Sequence, residues 1–191
     1  MPSRLPGHVR ARIEPIRLLV LDVDGVLTDG TLYYSPSGEE IKGFSVRDGL
    51  GIRMLLDAEI EVAVITGRSS AALARRCRDL RLRDELVVQG SRDKDADLDR
   101  VEQLLGVADH QVAAMGDDLP DLPMLGRAGF SACPADAVPE VVASCDHVCG
   151  SQGGRGAVRE VAELLLKAQR RWQGQAGRWL GHGQEPGRNE S

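Results

Sequence analysis

The stretch from Val20 to Gly30, VLDVDGVLTDG, sets Asp22, Asp24 and Asp29 directly behind a run of apolar residues. Carboxylates gathered this closely repel one another unless a cation stands between them. Three more apolar runs end in matching chemistry. Thr66-Gly67-Arg68 follows VAVI, Gly90 and Lys94 follow LVV, and Gly116-Asp117-Asp118 follows VAAM, with Asp121 close behind. In an open parallel sheet ligands bind beyond the carboxyl ends of the strands, so these residues are expected to meet in one place. Oxygen ligands without a nearby His or Cys favour Mg²⁺ over zinc. The Thr66 hydroxyl, the Lys94 ammonium and the amides of the glycine-containing turns then suit a phosphoryl group. Asp22 and Asp24 stand at alternate positions of an extended chain and can share a face, one as nucleophile and the other as general acid and base.

Each of these residues also has an ordinary structural use. Asp29 before Gly30 is a turn former. Thr66 can cap the helix that follows it, and Asp117-Asp118-Leu119-Pro120-Asp121 can be an N-cap with acidic residues complementing a helix dipole. Lys94, in SRDKDADLDR, taken alone is a solvated surface residue. Their joint occurrence at successive strand ends is what argues for a site.

The elements that must position them follow from periodicity. Nearly continuous apolar runs at Ile16 to Leu21, Val62 to Ile65, Leu86 to Val88 and Val112 to Met115 predict strands covered on both faces. Helical spacing recurs at Leu50 to Ala58, Ala71 to Leu80 and Leu98 to Leu105, and strands alternating with helices predict a parallel α/β sheet. Gly30 to Phe44, with β-formers on either side of Ser35-Pro36-Ser37-Gly38, predicts a projecting β-hairpin too short to be a second domain. Arg155 to Arg171 predicts a terminal amphipathic helix. The expected organisation is an N-terminal extension (1–15), one Rossmann-like sheet domain flanked by helices (16–171) and a flexible tail (172–191).

A formal net charge of -5 argues against a nucleic-acid partner. The basic N-terminus lacks the apolar core of a signal peptide, and no run approaches the length of a membrane span, so a soluble, cytoplasmic protein is expected. Cys77, Cys133, Cys145 and Cys149 lack the paired spacing of a zinc site and are expected to be reduced structural thiols.

In order and spacing, DVDGVLTDG, TGR, the isolated Lys94 and GDDLPD resemble the four motifs of the haloacid dehalogenase-like phosphatases. With GEEIK, FSVRDGLGI and GGRGAVRE added, the chain from about Ile16 to about Gln169 resembles the cap-less members acting on 3-deoxy-D-manno-octulosonate 8-phosphate, a lipopolysaccharide precursor. Val26 departs from the wider superfamily, where many members carry threonine. The resemblance implies that Asp22 becomes an aspartyl phosphate and that Asp24 is the general acid/base. It implies that Asp22, the main-chain carbonyl of Asp24 and Asp117 hold Mg²⁺, and that Thr66 and Lys94 bind the phosphoryl group. Asp118 and Asp121 would orient Lys94 and metal-bound water. Gly67, Arg68, Arg47 and Arg155 complete the implied substrate contacts, with Arg68 the discriminator for a sugar-acid carboxylate. A homotetramer in which neighbouring hairpins wall each site is implied too, and the basic tail (Arg170, Arg171, Arg178) is expected to act as a lid.

Three alternatives stand at this point. Phosphatases of nine-carbon keto-sugar acid 9-phosphates resemble the chain almost as well, although they tend to carry an acidic residue at the position of Arg68. A receiver-type signalling domain gathers similar residues, but its phosphorylated aspartate follows a later strand than its acidic pair. A catalytically silent interaction module would share the fold without the chemistry.

Overall fold

The computed structural model describes residues 7–180. Six parallel strands form the central sheet: β1 (Leu18–Leu21), β4 (Glu61–Thr66), β5 (Val87–Gln89), β6 (Val112–Met115), β7 (Phe130–Cys133) and β8 (His147–Val148). Their order is β5-β4-β1-β6-β7-β8. The chain thus builds outward from β1 in one direction, then returns to add β6 on its other side. This is the doubly wound arrangement, and its switch point lies between β1 and β6.

Strand alternation divides the core in two. Leu19, Leu21, Val62, Val64, Ala113 and Met115 face one cluster, and Leu18, Val20, Ala63, Ile65, Val112 and Ala114 face the other. The first is covered by α1 (Gly7–Ile13), α2 (Val46–Asp57), α3 (Ala71–Leu80) and α7 (Ala157–Ala168); the second by α4 (Lys94–Leu105), α5 (Leu122–Arg127) and α6 (Pro139–Ser144). A strand buried on both faces reads as an unbroken apolar run, which is why the runs were visible in the sequence. The short strands β7 and β8 were not, because FSAC and HV carry too few β-formers to stand out.

Side-chain caps move two helix starts upstream of their apolar spacing. Ser45 Oγ accepts from the Asp48 amide, so α2 begins at Val46 rather than Leu50. Asp93 Oδ1 accepts from the amides of Asp95 and Ala96, so α4 begins at Lys94 rather than Leu98. The α2–α7 packing is close: a Cβ on Gly51 would stand 3.1 Å from Arg159 Cα.

The hairpin forms as expected, with β2 (Tyr33–Tyr34) antiparallel to β3 (Glu40–Ile41). Asp29 makes the turn before it, its Oδ1 accepting from the Thr31 amide at 3.0 Å and its Oδ2 from the Tyr33 hydroxyl at 2.8 Å.

The expected mobile tail departs from the structure over its first half. Residues Trp172–Leu180 form α8, and Trp172 packs against the first core cluster beneath Lys167 and Arg159, whose charged groups lie 4.8 and 5.7 Å from its ring centre. Half-burying an indole beneath two cations outweighs the fraying a Gly-rich composition suggests. The site of attachment matters as well. Gln169 Nε2 donates to the carbonyls of Ile13 and Ile16, and Arg171 donates to the carbonyl of Ala58, so the chain here stands at the amino ends of the strands. Arg171 therefore faces away from the carboxyl-end cleft of its own subunit, contrary to the lid expected of it. The Arg178 side chain, also assigned to that lid, lies outside the described residues, as do Gly183 to Ser191, for which no role was expected.

Candidate active site

The carboxyl end of β1 delivers Asp22, whose amide donates to the carbonyl of Met115 on β6, so the two strand ends meet at the switch point. Lys94, the first residue of α4, reaches in from the side. Its Nζ donates to Asp22 Oδ1 at 2.6 Å and to Asp121 Oδ1 at 2.5 Å, and only 10% of its side chain is exposed. Asp121 is held in turn by amides, its Oδ2 accepting from Asp117 at 3.0 Å and Asp118 at 3.3 Å. Asp117 lies against the loop after β1: a Cβ on Gly25 would sit 2.0 Å from Asp117 Oδ2. One carboxylate oxygen from each of Asp22, Asp117 and Asp121 lies within 4.8 Å of the other two.

Burial and mutual repulsion strain this group electrostatically. Asp22 is pushed up to about 6, chiefly by desolvation and further by Asp121, with Lys94 pulling the other way. Asp117 is pushed up to about 7 by desolvation and then by Asp22, Asp121 and Asp118. Burial presses the Lys94 ammonium down, and Asp22 and Asp121 outweigh it, leaving a net rise. One ammonium is too little charge for three carboxylates, of which Asp22 and Asp121 are buried and Asp117 half-buried, and an all-oxygen donor set of this size fits a hard divalent cation.

Thr66 ends β4 and is buried, with Oγ1 accepting from the Arg68 amide at 3.4 Å. It does not cap α3; Ser70 does, accepting from the Leu73 amide. Gly67 and Gly90 lie in the two loops that meet beside it, where the Ser91 amide donates to the Thr66 carbonyl at 2.9 Å and the Gly90 amide to the Arg68 carbonyl at 3.3 Å. Asp118 takes the capping use foreseen for it, accepting from the Leu119 amide at 2.7 Å.

Asp24 is turned elsewhere. Its carboxylate contacts Lys42 on the hairpin and lies 3.8 Å from Arg68 Nε, while Arg68 Nη2 donates to Glu40 Oε2 at 2.6 Å. Lys42 and Glu40 entered the sequence reading only as letters of GEEIK. Glu40 on β3 and Lys42, one residue beyond its end, stand at alternate positions of the chain and can share a face, but nothing in the sequence says which carboxylate that face meets.

Arg47 and Arg155 sit together farther out: Arg47 Nη2 donates to the Arg155 carbonyl at 2.9 Å. Beside them lies Asp48, which the sequence reading carried only as a letter of FSVRDGLGI with no role of its own and which is 1% exposed. Its two oxygens accept from the Gly156 amide at 3.1 Å and the Arg159 amide at 2.8 Å, capping α7 from a position on α2. The loop so fixed lies on the first motif, where a Cβ on Gly153 would stand 1.7 Å from the Gly25 carbonyl. His147, Cys149 and Glu160 form a second three-donor group, but there Glu160 is occupied with the amides of Gly150 and Ser151.

The chain matches the family described as haloacid dehalogenase-like hydrolase over residues 85–161. It is 47% identical over 163 residues to the 3-deoxy-D-manno-octulosonate 8-phosphate phosphatase KdsC of Shigella flexneri, covering 85% of this chain and 86% of that one. The solved phosphatase of the same name from Moraxella catarrhalis, in complex with magnesium, phosphate and KDO, superposes with a TM-score of 0.88 at 38% identity, covering 92% of this chain and 99% of that one. A cobalt-bound deoxy-D-mannose-octulosonate 8-phosphate phosphatase from Haemophilus influenzae superposes with a TM-score of 0.81 at 44% identity, covering 85% and 94% respectively.

Proposed function

The chain belongs to the 3-deoxy-D-manno-octulosonate 8-phosphate phosphatases of the haloacid dehalogenase-like hydrolases, and from that premise we infer how its own residues carry the reaction. It is a phosphoric monoester hydrolase that converts the eight-carbon sugar phosphate to the free keto acid and inorganic phosphate, with Mg²⁺ as cofactor. The observation that carries the mechanistic reading is Lys94 bridging Asp22 and Asp121 beside Asp117, four strand and helix ends meeting at the switch point.

Asp22, Asp117 and the main-chain carbonyl of Asp24 are the residues proposed to hold the metal. Bound there, Mg²⁺ supplies positive charge opposite the oxygens of the transferring phosphoryl group. Lys94 fixes Asp22 Oδ1, leaving Oδ2 to attack phosphorus. The new Asp22–phosphorus bond forms as the bond to the sugar oxygen breaks, and the electron pair left on that oxygen takes a proton from Asp24. Asp24, now a carboxylate, then removes a proton from the water that attacks the aspartyl phosphate, releasing phosphate and restoring Asp22. Lys94 and the Thr66 hydroxyl hold the phosphoryl oxygens through both steps, and Asp121 holds Lys94.

Residues 16–171 form the proposed catalytic unit. A homotetramer walled by hairpins is proposed for the assembly; its support is the exposed apolar run of Leu32, Tyr33, Tyr34, Ile41 and Val46, the last 82% exposed. A cytoplasmic location is proposed, to which Cys77, Cys133 and Cys149, buried as free thiols, are suited. Arg68 is the proposed discriminator of substrate, since a guanidinium at the mouth of the site can bind the sugar acid's carboxylate. The reading is tested by phosphate release with Mg²⁺ from a panel holding the eight-carbon 8-phosphate, a nine-carbon acid 9-phosphate and an aryl phosphate. The eight-carbon ester should be preferred, and Asp22→Asn should abolish turnover on all three. Retention of more than about a tenth of wild-type turnover, a loss below ~1.4 kcal/mol, removes Asp22 as nucleophile. Arg68→Glu should lower kcat/KM for the eight-carbon acid far more than for the aryl ester, and equal losses would end its role in selection.

A further inference from the structure

Although Asp24 stands two residues from Asp22, its carboxylate is not among the three whose oxygens crowd together. It belongs to a separate closed ring of charge. Lys42 Nζ contacts Asp24 Oδ1 and lies 3.0 Å from Glu40 Oε1; Glu40 Oε2 accepts from Arg68 Nη2 at 2.6 Å; Arg68 Nε lies 3.8 Å from Asp24 Oδ2. The Lys42 side chain is 3% exposed, although it rides on a hairpin whose Tyr34 and Ile41 face solvent. A lysine on such an exposed element normally carries its ammonium into water. This one is turned inward, onto the residue read as the general acid.

The two oxygens of Asp24 are treated differently. Oδ1 is fixed by Lys42, whereas Oδ2 is buried without a hydrogen-bond partner. A buried, unbonded carboxylate oxygen is costly, and its position calls for a group that comes and goes. We propose that Lys42 is a positioning residue for Asp24, pinning one oxygen so that the other stands where the leaving oxygen of the substrate will be. This rests on the reading of Asp24 as general acid. The hairpin thereby completes the catalytic geometry of its own subunit, apart from any use it has in assembly. In the step concerned, the proton on Asp24 Oδ2 passes to the ester oxygen as the phosphorus–oxygen bond breaks and the Asp22–phosphorus bond forms.

The test exploits leaving-group chemistry. An alkoxide needs a proton as it departs, while p-nitrophenolate leaves readily without one, and general acid catalysis is worth about 10²–10⁴ in rate. The ester-cleaving step is measured by single turnover on the eight-carbon sugar phosphate and on p-nitrophenyl phosphate for wild type, Lys42→Met, Lys42→Arg and Asp24→Asn. Lys42→Met should lose at least about thirtyfold more on the sugar ester than on the aryl ester, with Lys42→Arg recovering part of that difference. Lys42→Gln, of similar reach but neutral, serves if the methionine variant misfolds. Should Asp24→Asn show the split while both neutral Lys42 variants lose equally on the two esters, Lys42 only ties down the hairpin and the proposal is wrong. Should Asp24→Asn itself show no split, it is the assignment of Asp24 as acid that fails, and the positioning role falls with it.

Discussion

Replacing Lys94 by methionine removes the cation that bridges the buried carboxylates Asp22 and Asp121 beside the half-buried Asp117, while keeping the length of the side chain. Two ionic contacts are lost, at 2.6 Å to Asp22 and 2.5 Å to Asp121. At an effective dielectric of about 20 each such pair is worth roughly 6 kcal/mol in Coulomb energy, offset by the desolvation of the ammonium. Breaking one side of a buried pair typically costs about 3–5 kcal/mol, and that is the cost expected when every carboxylate is ionised. The carboxylates have another outlet, which is to take up protons. Asp22 and Asp117 already hold theirs up to about 6 and about 7, above the ordinary 3.8, so the metal-free fold binds protons that the unfolded chain has lost. Stability contributed by these groups is therefore present in full below about 3.8 and falls as pH rises through 6 and 7. Without Lys94, which pulls both down, that decline continues to higher pH. Denaturant unfolding in EDTA should show Lys94→Met destabilised by about 3 kcal/mol at pH 8, a Tm loss of roughly 6–12 °C, and by under about 1.5 kcal/mol at pH 5.5. Saturating Mg²⁺ should narrow the gap at pH 8 without restoring turnover, because the metal replaces the charge but not the contact to phosphate. A penalty independent of pH, or unmoved by Mg²⁺, would refute the view that Lys94 neutralises this cluster.

Asp48→Ala leaves the amides of Gly156 and Arg159 without their buried acceptor and should cost about 2–4 kcal/mol in denaturant unfolding; because the same loop rests on Gly25, kcat should fall as well. Burial raises the Asp48 carboxyl despite those amides, so the stability of wild type relative to Asp48→Asn should decline as pH rises above about 3.8, and a rise would contradict the burial argument. Truncation after Gln169 removes Trp172 and the bond from Arg171 to Ala58; it should lower stability by about 2–4 kcal/mol in a thermal or denaturant melt, and an unchanged melt would mean that α8 does not brace the fold.

The chain's own letters determine the sheet and the chemistry at its ends. Leu18–Leu21, Val62 to Ile65 and Val112–Met115 are buried on both faces, which forces unbroken apolar runs, and Asp22, Thr66 and Asp117 stand where those runs stop. Lys94 was legible only in combination, since its place at the start of α4 depends on a cap one residue earlier and its partners lie 72 and 27 residues away. The partners of Asp48 and Lys42 were decided by tertiary structure alone. A carboxylate in RDG signals a turn or a helix start, and only the packing of α2 on α7 brings it to amides 108 and 111 residues distant. Lys42 looks like any lysine on an exposed hairpin until the fold turns it inward and buries it against Asp24. The C-terminal segment shows the same division: its composition predicts mobility, whereas Trp172 finds a surface formed by α7, and contacts of that kind leave no periodic trace in a local stretch of sequence.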